Sequence, residues 1–184
     1  GKKTAIRQTV KLAVPLLGTA LAIAPCFKMR FWNIGAEGQI TAGAMAASYF
    51  ALYCYDKMSS PVLLIVMGVS AALLGGIWAF IPGFFKAKWN TNETLFTLMM
   101  NYVATQLVAY FIIVWESPKG SGKVGIINQS TEAGWLPQIG GYKYLLTILV
   151  VAVLTVLVYI YLNYSKHGYE ISVVGESERT ARYV

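Results

Sequence analysis

The sequence predicts an all-α integral membrane protein of about five transmembrane segments, the first two short and joined by a polar, glycine-containing loop. Two observations predict it. Of 184 residues, 57% are hydrophobic and only 12% charged, about half the charge of a typical soluble domain. Mean hydropathy is +0.56, and a soluble globule of that composition would expose apolar patches that monomers rarely tolerate. The few charges also fall between long uncharged runs, and a span needs about 20 consecutive apolar residues. The lipid bilayer is therefore the expected surrounding. The formal charge of +7 does not indicate nucleic acid, because the basic residues punctuate apolar runs instead of clustering on one face. Cys26 and Cys54 sit within or at the ends of those runs and outline no disulfide framework. With His167 the lone histidine, a Ser-His-Asp triad or a His-rich metal site is improbable, so no catalytic residue, metal or cofactor is expected.

The segments follow in order. Residues 12–27 are apolar but contain Pro15 and Pro25, and residues 38–55 carry no charge; they form the two short helices joined by residues 28–37. Residues 58–85, 94–115 and 144–165 are charge-free spans. Residues 116–143, rich in Gly, Ser and polar side chains, read as an external loop, and residues 166–184 as a cytoplasmic segment of one membrane domain, 1–184. The Lys/Arg balance leans towards a cytoplasmic C-terminus, with Lys28, Arg30, Lys86, Lys88 and Lys166 inside and Lys57, Lys119, Lys123 and Lys143 outside. The basic start, with Lys2, Lys3, Arg7 and Lys11, opposes that bias. No cleavable signal is evident, and the chain reads as a portion of a longer protein.

Several polar residues have no place in lipid. In the fourth segment Thr94, Thr97, Asn101 and Thr105 share one helical face, with Gln106 beside it. A buried amide without partners is costly, so this stripe either bonds other helices or lines a polar pathway. Asn33, Glu37 and Gln39 lie with Gly35 and Gly38 between the first two segments. Such glycine-interrupted polar breaks occur either in ordinary turns or where backbone lines a transporter's substrate site. Asn33, Glu37 and Gln39 are expected to approach Thr97, Asn101 and Thr105 and with them border the pathway. Asn90 and Glu93 have the spacing of a capping box. In the third segment Gly68, Ala72 and Gly76, and likewise Ala71, Gly75 and Ala79, allow close helix approach.

The run Phe31-Trp32-Asn33-Ile34-Gly35-Ala36-Glu37-Gly38-Gln39 resembles the F-N-I-G-A-E-G-Q signature of prokaryotic ABC-importer permeases of the nucleoside and simple-sugar group, with Trp32 as an insertion-like departure. Asn92-Glu93-Thr94-Leu95-Phe96-Thr97-Leu98-Met99-Met100-Asn101-Tyr102 resembles that family's N-E-x-x-x-x-L-M-x-N-Y segment. Gly168-Tyr169-Glu170, Gly175 and Ala181-Arg182-Tyr183 are similar to its cytoplasmic coupling segment, except that Ser172 replaces a usual Arg and Ser177 a usual Asn. The three motifs occur in matching order along nearly the whole chain.

The resemblance implies a multi-pass permease subunit of the prokaryotic cell membrane, partial in this chain and without ATPase activity of its own. A separate ATP-binding cassette subunit would hydrolyse ATP. A second permease subunit would complete the pathway, and an extracellular substrate-binding lipoprotein would deliver the substrate. Coupling to the ATPase would fall on Gly175, Glu176, Arg179, Arg182 and Tyr183. The N-I-G-A-E-G-Q spelling resembles the nucleoside branch more than the ribose branch, which makes nucleosides the expected cargo. The alternatives are a ribose- or galactose-like sugar, or a small membrane assembly or regulatory protein that transports nothing.

Overall fold

In a computed structural model that describes residues 2–140 and 144–177, the chain forms six helices: α1 (Lys2–Lys28), α2 (Ala36–Tyr53), α3 (Ser60–Trp89), α4 (Glu93–Trp115), α5 (Leu145–Tyr164) and α6 (Lys166–Glu176). Four of them, α1, α3, α4 and α5, are long and apolar enough to cross a bilayer. The first helix is longer than the sequence suggested. Its basic start is helical too, and both prolines lie inside it, with the Thr19 hydroxyl donating to the Pro15 carbonyl at 2.9 Å. Prolines are tolerated inside spanning helices, although the missing N–H of Pro15 leaves the Lys11 carbonyl without its helical donor.

The chain divides into two compact units, residues 1–33 with 136–184, and residues 34–135. In the first, α1 and α5 run parallel. Lys11 stacks its ammonium over Tyr144, Gly18 faces Val151, and the Lys28 amine donates to the Leu162 carbonyl at 2.8 Å. The α6 helix turns back at Ser165, whose hydroxyl accepts from the Gly168 amide at 2.9 Å. Gly175 then packs directly on the Lys28 carbonyl, a contact that leaves no room for a side chain.

In the second unit, α2 packs antiparallel on α3 through small residues. A Cβ on Gly43 would meet the Ala71 carbonyl at 2.9 Å, and one on Gly75 the Gln39 carbonyl at 3.1 Å. Helices α3 and α4 form a hairpin whose turn is held by Lys86–Glu93 at 3.0 Å and by Phe85 against Phe96. Asn90 ends α3 in the left-handed region, with φ of 50°, a conformation Asn tolerates better than most residues. The cap of α4 is Asn92, whose carboxamide oxygen accepts from the Leu95 amide at 3.0 Å, and not Asn90. At the opposite end of α4, Glu116 accepts from the Gly120 and Gly122 amides at 2.7 and 2.8 Å. The following loop bridges the α2–α3 turn: the Asn128 amide donates to the Ala51 carbonyl, and the Gly134 amide to the Ser60 hydroxyl.

The outward faces are apolar. On α3, Val62, Ile65, Val69, Leu73, Ile77 and Phe80 are all exposed, a surface suited to hydrocarbon or to other spanning helices.

Candidate functional site

Helix α2, 18 residues long and outside the four long and apolar enough to cross a bilayer, explains the polar stripe. Pairing with α3 sets the first turn of α2 beside Gly75 and Trp78, so α3 runs on about 15 Å past the start of α2. The Gly38 amide meets Asn101, about 12 Å into α4 from Glu93. Helix α2 therefore begins within the depth that α4 crosses, and the backbone leading into it is non-helical there. Water is absent from a bilayer core, so each free N–H and C=O at that depth must bond protein.

Helix α4 supplies the partners. The Ile34 amide donates to the Thr97 hydroxyl at 3.2 Å, and the Asn101 carboxamide donates to the Ile34 carbonyl at 2.9 Å. The Gly38 amide donates to Asn101 Oδ1 at 2.8 Å. Helix α2 has Gly35 at its N-cap and no side-chain cap of its own; Asn101 performs from a neighbouring helix the task that a capping Ser or Asn performs locally. Thr97 and Asn101 are 0% and 8% exposed, so neither faces lipid. The Thr97 hydroxyl passes its own proton back to the Glu93 carbonyl at 2.8 Å.

Gly38 is the close-approach point. An added Cβ would meet Asn101 Oδ1 at 2.8 Å and the Trp78 indole nitrogen at 3.1 Å. Trp78, which sequence reasoning passed over, leaves that N–H buried and without a hydrogen bond among the described residues. Its only sequence signal was a tryptophan in the interior of a spanning segment, away from the interfacial belts where Trp concentrates.

The expected pathway residues are placed unequally. Thr97 and Asn101 meet the Ile34–Gly38 backbone, whereas the side chain of Glu37 is exposed on the first turn of α2 and takes no part in those bonds. Gln39 is half-buried and turns its carbonyl to Gly75. Thr105 is exposed, its hydroxyl donating to the Asn101 carbonyl at 2.9 Å. Asn33 belongs to the first unit, where it is buried and its side chain hydrogen-bonds Cys26. Of the coupling residues, Gly175 is buried and Glu176 exposed at the end of α6. Arg179, Arg182 and Tyr183 lie outside the described residues.

A cavity of about 290 Å³ continues the α2–α4 seam from Ile40 and Met45 to Phe111 and Trp115, and its walls are mainly apolar. Among the described residues, no three His, Cys, Asp or Glu side chains converge.

Spanning helices flanking a shorter helix that starts within their depth, its entry backbone bonded by a buried amide, define a multi-pass membrane protein of the cell membrane. The chain belongs to the family described as branched-chain amino acid transport system / permease component, which it matches over residues 6–184. It is 31% identical to the guanosine ABC transporter permease protein NupP of Bacillus subtilis, with 97% of this chain and 51% of that protein covered. To the glucose ABC transporter permease protein TsgB13 of Haloferax volcanii it is 30% identical, over 92% of this chain and 47% of the relative. To the nucleoside ABC transporter permease protein NupB of Lactococcus lactis the identity is 27%, over 100% and 52%. The chain thus spans about half the length of the curated relatives it matches. No solved structure matches it.

Proposed function

We propose that the chain is the membrane-embedded portion of a permease subunit that imports nucleosides in an ATP-driven transporter. The similarity to permeases named for guanosine and for nucleosides along nearly all of this chain carries the reading. ATP binding and hydrolysis belong to a separate subunit, a second permease subunit completes the path, and an extracellular binding lipoprotein delivers the cargo. Asn33, Glu37, Gln39, Thr97, Asn101 and Thr105 belong to the region through which substrate passes. Thr97 and Asn101 act there by fixing the broken backbone, and Glu37 by presenting its carboxylate beside it.

Residues 166–184 couple the path to the ATPase through Gly175, Glu176, Arg179, Arg182 and Tyr183. Two features support this role. Gly175 locks α6 onto the end of α1, and Glu176 is left outward for a partner. The similarity to a glucose permease at 30% identity favours one second reading, a simple sugar as cargo.

The test is uptake by the full-length permease assembled with its ATP-binding and binding-protein partners. ATP-dependent accumulation of labelled guanosine is expected, and accumulation of glucose without any nucleoside would overturn the reading in favour of the sugar. Charge reversal at Arg179 and Arg182 should weaken co-purification of the ATP-binding subunit while leaving membrane insertion intact. Unchanged co-purification would remove the coupling assignment.

A further inference from the structure

The face of α4 turned away from α2 carries an amide that bonds nothing among the described residues. Gln106 is exposed and makes no hydrogen bond among the described residues. It lies about 20 Å from the Glu93 end of α4 and about 14 Å from the Trp115 end, close to the middle of the span. Asn101 is turned about 140° round the helix from it, so the two amides serve different surfaces. Tyr102 and Tyr110, one turn to either side of Gln106, are 66% and 61% exposed. Steps of four residues hold all three on one narrow stripe.

Hydrocarbon is an unsuitable neighbour for this stripe. An unpaired amide near the bilayer centre is costly, and polar residues at that depth mark interfaces or hydrated pathways. The mainly apolar seam cavity between α2 and α4 lies on another side of the helix and offers a polar solute little to bond. An amide between two exposed phenol rings is instead matched to a flat, polar heterocycle: rings stack on any base face, while a Gln amide offers one donor and one acceptor side by side.

We infer that α4 also meets the translocation path on the face turned away from α2, where Tyr102, Gln106 and Tyr110 form a stripe that recognises the base of a passing nucleoside, the tyrosines by stacking and Gln106 by pairing with the base edge. The inference rests on the nucleoside reading above.

The experiment uses the full-length permease with its partner subunits, and measures KM and maximal rate for adenosine and guanosine. Gln106→Met should raise KM for both roughly tenfold, the size of one lost bidentate contact, with permease abundance in the membrane unchanged. Gln106→Glu removes the donor, so preference should move towards guanosine, whose edge presents two adjacent donors. Tyr102→Phe should behave as the unaltered protein, and Tyr102→Ala should raise KM roughly tenfold. Unaltered KM values and an unaltered guanosine-to-adenosine ratio in both Gln106 variants would overturn the stripe. So would an equal loss of assembled permease in both, since that outcome marks an amide used only for helix packing. An unaltered permease that carries glucose and no nucleoside defeats the substrate reading itself, before any variant is compared.

Discussion

Asn101 spends both ends of its amide on backbone, which sets the cost of losing it. Asn101→Leu leaves a buried N–H and a buried C=O without partners, each worth about 1–3 kcal/mol. The variant should be destabilised by about 2–6 kcal/mol and lose transport together with thermal stability of the detergent-solubilised protein. Thr97→Val frees only the Ile34 amide and should cost about 1–3 kcal/mol, with Thr97→Ser close to neutral. If Asn101→Leu abolished transport at unchanged stability, the amide would have to act on substrate instead. Glu116 makes a different prediction, outside the spans. The Gly120 amide, then the Gly122 amide, hold its carboxyl below the usual carboxylate range. A pKa lowered by folding contributes stability above the unfolded pKa and loses it as pH falls through the folded one. Hydrogen exchange at Gly120 and Gly122 should therefore be slow at neutral pH and accelerate only in acid below that range, and Glu116→Ala should make it fast throughout.

At the scale of elements, side-chain spacing was enough to show that Thr97 and Asn101 share one helical face. It also showed a polar break between the first two segments, expected over residues 28–37, which the structure narrows to residues 29–35. It could not show that the two features answer one another through main-chain groups. Every residue carries the same N–H and C=O, so nothing in the letters marks Ile34 and Gly38 as the ones in need. Thr105 and Gln106 were harder for the same reason. A hydroxyl can close on its own helix, as Thr105 does, and an amide one position on then faces elsewhere. The length of α1 was missed because lysines interrupt the hydropathy without interrupting helix geometry. The small-residue pattern of α3 was legible, but only one of its two stripes contacts α2: Gly75 does, and Gly68 and Gly76 have nothing within 4 Å. Gly43→Ala should accordingly destabilise by about 1–3 kcal/mol through overpacking, while Gly76→Ala should be neutral in this segment. Equal thermal shifts for the two would mean that α2 and α3 do not meet as described.

For the whole molecule, helix direction is fixed within each unit: α2 and α4 run parallel with α3 against α2, and α1 runs parallel to α5. The pattern of charges along the chain then becomes a labelling prediction. In the full-length permease lacking Cys26 and Cys54, a cysteine at position 88 should react from the cytoplasm and one at position 121 from outside. Reaction of both from the same face would reject α4 as a span.

The pairing of α1 with α5 also has a consequence in time. The residues that touch, Gly18 with Val151 and Lys28 with Leu162, are separated by the entire second unit. At about 5–20 residues per second of synthesis, α1 waits roughly 7–27 s for its mate, whereas residues 34–135 can assemble as they emerge. During that delay the early helix depends on whatever the insertion machinery offers it. Nascent chains halted before Leu145 should keep a folded centre and an orphaned leading helix, open to membrane quality-control proteases.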